Sequence, residues 1–227
     1  VVMLGGSSRS AVLRDRQDAG VQLAARLQSY RERQPIVLAL PRGGVAVAYE
    51  IARSLNVPLD ILIVRKIGAP DNPEYGLGAL VEDGTRVIDE RRVRAAGYSL
   101  HDIEPTIQRE LSEIRRRAET YRAGKPMVDV RDRTVILVDD GVATGGTLRA
   151  AIRAVRARRP LRIVVALGVA PRDTYRQLER EADEVIALIV PELFFAVGEW
   201  YQQFGQVDDD EVQRLLVRAR GPLSPSA

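Results

Sequence analysis

The stretch Val135-Ile-Leu-Val-Asp139-Asp140-Gly141-Val-Ala143-Thr144-Gly145-Gly146-Thr147 decides the fold. A short run of β-forming apolar residues ends in two adjacent acids, and a loop of Gly, Ala and Thr leads into the helical pattern Leu148–Arg158. Gly lets backbone N–H groups approach the oxygens of an anion, and the dipole of the following helix favours negative charge there. Two carboxylates beside such an anion would repel it unless they face hydroxyl groups or a divalent cation. Acids and loop together therefore suggest a sugar phosphate held at both ends, such as a phosphorylated ribose. A plain turn and helix cap would need one polar residue, not this whole set. A Walker A loop is a poor fit because Thr147 stands where its Lys belongs, and the dinucleotide spacing G-x-G-x-x-G is missing at both Gly43 and Gly141.

Four more apolar runs have the same character: Ile36–Leu40, Leu59–Val64, Ile163–Leu167 and Val185–Val190. They are continuous rather than alternating and mostly separated by helical patterns, which is how buried parallel strands read. The expected fold is α/β, a parallel sheet with helices on both faces. From Asp15 to Tyr30, Ala19, Leu23, Ala24 and Leu27 keep helical spacing. The interruption from Arg65 to Arg133 reads first as a hairpin, Tyr75–Ile88, turning at Asp83-Gly84. A helical insert follows, with Ile103, Ile107, Leu111, Ile114, Ala118 and Tyr121 on one stripe. Either Ser99 with Asp102 caps it, or Glu104-Pro105 opens a second helix. The expected organisation is one domain over 13–220, with hairpin and insert at about 75–125. Residues 1–12 and 221–227 read as flexible ends by composition.

The 227 residues are 45% hydrophobic and 29% charged, too apolar for disorder. With no Cys and only His101, disulfide scaffolds, thiolate zinc sites, Cys nucleophiles and paired-His metal motifs are excluded. His101 itself reads as a surface or capping residue of the insert. No apolar run approaches the roughly 18 residues of a membrane span, and Val1–Leu4 shows no leader pattern, so a cytoplasmic protein is expected. The net charge of +3 rests almost wholly on Arg, since only Lys66 and Lys125 are Lys. Such a balance suits anionic small molecules or weak nucleic-acid contact.

The acid-and-glycine segment resembles the phosphoribosyl-pyrophosphate (PRPP) signature of the type I phosphoribosyltransferases, and the resemblance extends from about Ile36 to Val190. It implies that fold, with the helical insert and a small C-terminal hood at about 191–207. It implies that Asp139 and Asp140 bind the ribose hydroxyls and, directly or through water, Mg²⁺, while Ala143, Thr144, Gly145, Gly146 and Thr147 cradle the 5-phosphate. Leu40-Pro41-Arg42-Gly43-Gly44 would be the pyrophosphate loop, a place where the family often has a cis peptide. Arg42, whose guanidinium can clamp two oxygens, would act there with Arg65 and Lys66 on the departing pyrophosphate. Ile67–Leu80 would be a mobile loop closing over PRPP. The reaction implied is Mg²⁺-dependent transfer of phosphoribose from PRPP to a nitrogenous, purine-like base, with Arg42, Lys66, Asp139 and Asp140 as its principal residues.

The acceptor is less defined. Family enzymes for 6-oxopurines carry an Asp where this chain has Ala143, which resembles the adenine enzymes, whereas Arg42-Gly43-Gly44 resembles bacterial xanthine-guanine enzymes. The Pro-Arg-Gly-Gly loop, the charged insert and the Phe-x-Ala-Val-Gly-x-Trp-Tyr segment together resemble a bacterial branch of the family without a settled acceptor. All three Phe and the only Trp fall between Phe194 and Phe204, so Phe195, Trp200 and Tyr201 are candidates to stack on the base; a core or a dimer anchor accounts for them equally well. A homodimer is expected, with no membrane partner. A PRPP-sensing regulator that binds nucleic acid through Arg153, Arg156, Arg158 and Arg159 is the alternative on the same scaffold.

Overall fold

The computed structural model describes residues 12–73 and 75–219, so the terminal segments expected to be flexible lie, apart from Val12, outside the described residues. In chain order, α1 (Arg16–Arg26) and a 3-10 turn (Gln28–Arg33) precede β1 (Ile36–Ala39), α2 (Gly43–Leu55) and β2 (Leu59–Ile61). Then come β3 (Val64–Gly68), β4 (Gly76–Val81), β5 (Arg86–Ile88), α3 (Glu90–Ala95) and α4 (Leu100–Arg122). The chain returns through β6 (Thr134–Gly141), α5 (Gly146–Ala157), β7 (Arg162–Val169), α6 (Arg172–Leu178), β8 (Glu184–Ile189) and α7 (Asp209–Ala219).

Five strands form a parallel sheet in the order β2-β1-β6-β7-β8, and β3-β4-β5 form a separate antiparallel sheet. Burial explains the continuous apolar runs. Val37, Ala39, Ile136 and Val138 face a cluster that includes Leu23 of α1 and Ile51 of α2. Their neighbours Ile36, Leu38, Val135 and Leu137 face a second cluster built with Ile152 and Val155 of α5. Both faces are thus covered, and alternation vanishes from the sequence.

Two expectations need correction. Leu59–Val64 is not one strand: the chain leaves the parallel sheet after Ile61, and Val64 opens the second sheet. Leu62 and Ile63 are buried at the junction, so the apolar run continues where the strand stops. Ile67–Leu80 is mostly hairpin, pairing Lys66 with Ala79 and Ile67 with Gly78, and only 69–75 connects the two strands. The expected hairpin over Tyr75–Ile88 holds, turning through Gly84 at φ +88°.

The insert is a single 23-residue helix, α4, capped by Ser99 and Asp102 in a reciprocal capping box. Pro105 lies early in it and does not divide it. Exposed His101 sits in its first turn. A buried ion cluster ties its end to both sheets: Arg122 Nε meets Asp60 of β2 at 3.1 Å, and the same guanidinium pairs with Glu82 after β4. No helix among the described residues is long and apolar enough to cross a membrane.

Candidate functional site

The strand order places the site. From β1 the chain moves outward through α2 to β2, and from β6 it moves the opposite way through α5 to β7, so the loops after β1 and β6 diverge from a crevice at the carboxyl ends of the strands. Such a switch point is where open α/β sheets bind ligands. Register keeps the loops together: Ala39 pairs with Val138, and Leu40 N–H donates to the Val138 carbonyl at 2.9 Å.

In the loop after β1, the Pro41–Arg42 peptide is cis, and Arg42 opens α2. A Cβ on Gly44 would lie 2.7 Å from the Val138 carbonyl oxygen, and one on Gly43 would collide with the Asp140 carboxylate. Both glycines are needed to seat α2 on the end of β6. In the loop after β6, Gly145 takes φ +72° at the N-cap of α5, and no side chain caps that helix. Ala143, Thr144 and Gly146 are exposed, so the first-turn N–H groups can meet an anion. Thr174 Oγ1 braces the loop by donating to the Ala143 carbonyl at 2.6 Å.

The acids differ in surroundings. Asp139 retains a partly open edge, and its Oδ1 accepts the Asp140 N–H at 2.9 Å. Burial first, and the adjacent Asp140 carboxylate second, hold the Asp139 carboxyl well above the ordinary carboxylate range. Asp140 is buried, and its Oδ2 accepts from Arg16 Nε at 2.7 Å. Arg16 also donates to the Gly205 carbonyl at 2.7 Å and lies 3.9 Å over the Phe204 ring. Residues far apart in the sequence therefore meet at one member of the acid pair.

Pro41, Arg65, Lys66 and Thr147 share a cavity of about 370 Å³ beside these loops. Arg65 reaches Glu110 of α4, at 2.7 Å. Arg42 instead lies 3.8 Å from Asp209 at the start of α7. Asp209 also accepts from Tyr121 Oη at 2.6 Å, a bond that helps hold its carboxyl below the usual range. Burial, then Asp209, push the Tyr121 hydroxyl up to about 12.

The three aromatic candidates are placed in three different ways. Phe195 is 82% exposed on the loop after β8. Trp200 is half-buried, its Nε1 shielded and without a partner among the described residues. Tyr201 is buried against Gly168 and donates to the Asp140 carbonyl at 2.5 Å, so its ring braces the acid strand and offers no open face to a base.

Arg16, Asp209 and the cavity-lining Thr106, Arg109, Glu110 and Arg117 of α4 were not among the site residues expected from the sequence. Arg16 lies 124 residues from its partner, and no local pattern marks it. The run Asp208-Asp209-Asp210 in an Arg-rich chain was the available signal for Asp209.

The family model described as phosphoribosyl transferase domain matches residues 17–203. Two Mycobacterium tuberculosis proteins (strains CDC 1551 and H37Rv), each named "Putative phosphoribosyl transferase", are 44% identical over 205 residues, 90% of this chain. The chain spans about half their length, 46% of each. TT1426 from Thermus thermophilus is 44% identical, with a TM-score of 0.78 over 91% of this chain and 98% of that one. AQ2163 from Aquifex aeolicus shares the fold at 14% identity, with a TM-score of 0.50 over 81% of this chain and 78% of that one.

Proposed function

The chain belongs to the phosphoribosyl transferase family, and we propose that it transfers 5-phosphoribose from PRPP to a nitrogenous, purine-like base, releasing pyrophosphate. One observation carries this reading: the Gly43-Gly44 turn is packed directly on the Asp139-Asp140 pair, beside the uncapped start of α5. One crevice thus has an anion loop, a hydroxyl-binding acid pair and a second close backbone turn, the three parts that a doubly phosphorylated ribose requires.

In this proposal the N–H groups from Ala143 to Thr147 hold the 5-phosphate, and Asp139 accepts from the ribose hydroxyls. Departure of pyrophosphate leaves positive charge at the anomeric carbon and gathers negative charge on the leaving group. Lys66, Arg65 and the backbone at Gly43 and Gly44 stabilise the latter. Arg42 joins them by exchanging Asp209 for phosphate oxygens, and closure of the β3–β4 hairpin keeps water from the reactive carbon.

Among the described residues no group of three or more His, Asp or Glu could hold a metal alone. One partly open carboxylate, with a second held by Arg16, suits a Mg²⁺ that arrives with its other ligands on the substrate. Asp139 would hold it, with Asp140 behind, and the ion would supply charge neutralisation at the diphosphate. Of the aromatic candidates, Phe195 has the ring most open to a base. A homodimer in the cytoplasm completes the proposal.

The nucleic-acid alternative loses support at α5, where Arg153 pairs with Glu181, Arg156 with Asp183 and Arg158 with Asp83. The test is incubation with PRPP, Mg²⁺ and pooled nitrogenous bases while pyrophosphate is measured. Release that depends on both base and Asp139 is expected. No release with any base, together with steeply salt-dependent binding to random duplex DNA, would turn the reading to the regulator.

A further inference from the structure

We infer that α4 is part of the ligand site, with Arg109 and Arg117 receiving an oligophosphate anion in the cavity between α4, β3 and the start of α5. That this anion is the diphosphate of PRPP rests on the proposed transfer reaction; that it is an oligophosphate rests on the cavity.

Thr147, in the first turn of α5, closes one side of this space, while Arg109 and Arg117 approach from α4. Arg65 and Lys66 enter from β3, and Glu110, the carboxylate among the described lining residues, already accepts from Arg65. Arg117 is held by Glu113 at 2.7 Å on its own helix. Arg109 differs from both: its Nη2 donates to Thr106 Oγ1 at 3.2 Å, and among the described residues it has no carboxylate partner. The buried Thr106 hydroxyl thus fixes one edge of an otherwise uncommitted guanidinium fork, a geometry suited to two phosphate oxygens.

Electrostatics and shape select the anion. A single phosphate at the α5 terminus would leave Arg109 without an anionic partner among the described residues, whereas the one cavity of about 370 Å³ that Thr147 and Arg109 both line has room for a second phosphate. The lining includes no aromatic ring, so a base would find nothing here to stack on. The insert is therefore assigned to the phosphate end of the substrate.

The test is calorimetric titration of inorganic pyrophosphate, and separately of ribose 5-phosphate, into the full chain, Arg109→Gln, and the double variant Arg109→Gln/Arg117→Gln. Melting temperatures are recorded for all three. Pyrophosphate should weaken about tenfold in the single variant and further in the double, while ribose 5-phosphate stays within about twofold, as expected for loss of charge-assisted hydrogen bonds to one ligand only. Arg109 is exposed, so the single variant keeps the test valid if the double variant fails to fold. Unchanged pyrophosphate affinity in Arg109→Gln, equal losses for both ligands, or no pyrophosphate binding by the unaltered chain would overturn the inference. The selective pattern in a chain that releases no pyrophosphate from PRPP would support it and remove only the transfer reading.

Discussion

The parallel sheet and the β3–β5 sheet with α4 differ in how much buried charge holds them. The first is sealed on both faces by aliphatic side chains, with Ile136, Leu137, Val164 and Val165 all fully buried. The second shares part of that apolar core, with Ile67, Leu77, Leu80 and Ile107 buried in one cluster with Val37 and Ile136, and adds a buried charge cluster: Arg122, 3% exposed, spans Asp60 of β2 and Glu82 beyond β4. An apolar seam tolerates the loss of a methylene, whereas a buried ion cluster fails when one member is removed, because the others stay desolvated and unpaired. The parallel sheet carries the loops after β1 and β6, which are proposed to hold the ligand. The ion-tethered part carries Lys66, Arg109 and Arg117, which line the cavity beside those loops.

The contrast is broken most severely at Arg122. Arg122→Ala should cost about 3–5 kcal/mol in urea unfolding, the usual penalty for stripping one partner from a buried pair. If the two regions are held independently, hydrogen exchange should rise first in β3–β5 and α4 while β1, β6 and β7 stay protected. A uniform rise would mean that the two regions unfold as one unit.

Gly43→Ala probes the other side of the comparison. A methyl there must displace the Asp140 carboxylate from Arg16, so stability should fall by about 1.5–3 kcal/mol, the worth of a hydrogen bond to a charged group. PRPP affinity should fall with it, and exchange in β3–β5 should not change. A variant with normal PRPP affinity would show that Gly43 serves only to pack α2.

The smallest effect concerns Glu113. Its hydrogen bond from Arg116, and next that from Arg117, pull its carboxyl down to about 2. A depressed acid stabilises the fold above its unfolded value near 4.5 and loses that contribution as the pH drops toward about 2. Glu113→Gln should therefore lower stability at pH 7 by no more than about 1 kcal/mol, read from thermal melts, since the site is partly solvated. The difference should close in acid; a gap that persists at pH 2 would assign the effect to packing.

These two regions were also unequally legible in the sequence. The parallel strands announce themselves because burial on both faces demands unbroken apolar runs, and the loop after β6 because acids and glycines rarely combine for packing alone. The break between β2 and β3 is silent, since Leu62 and Ile63 remain buried while the backbone changes sheets. The meeting of Arg16 with Asp140 is silent because it depends on where α1 crosses the sheet, not on its neighbours in the chain. Tyr201 belonged to a conspicuous aromatic cluster, yet composition alone does not separate a ring that packs on Gly168 from one that faces solvent, as Phe195 does.

Binding of PRPP in the crevice between the loops after β1 and β6 is tested most directly by calorimetric titration of PRPP with Mg²⁺ into the unaltered chain and into Asp139→Asn/Asp140→Asn, each checked by circular dichroism. The unaltered chain should give a saturable heat, and the double variant should lose about a hundredfold or more in affinity, as expected when the charge-assisted contacts of Asp139 and the charge of Asp140 behind it are removed together, with the helical signal unchanged. A folded double variant that binds PRPP as tightly as the unaltered chain would contradict the assignment of the crevice.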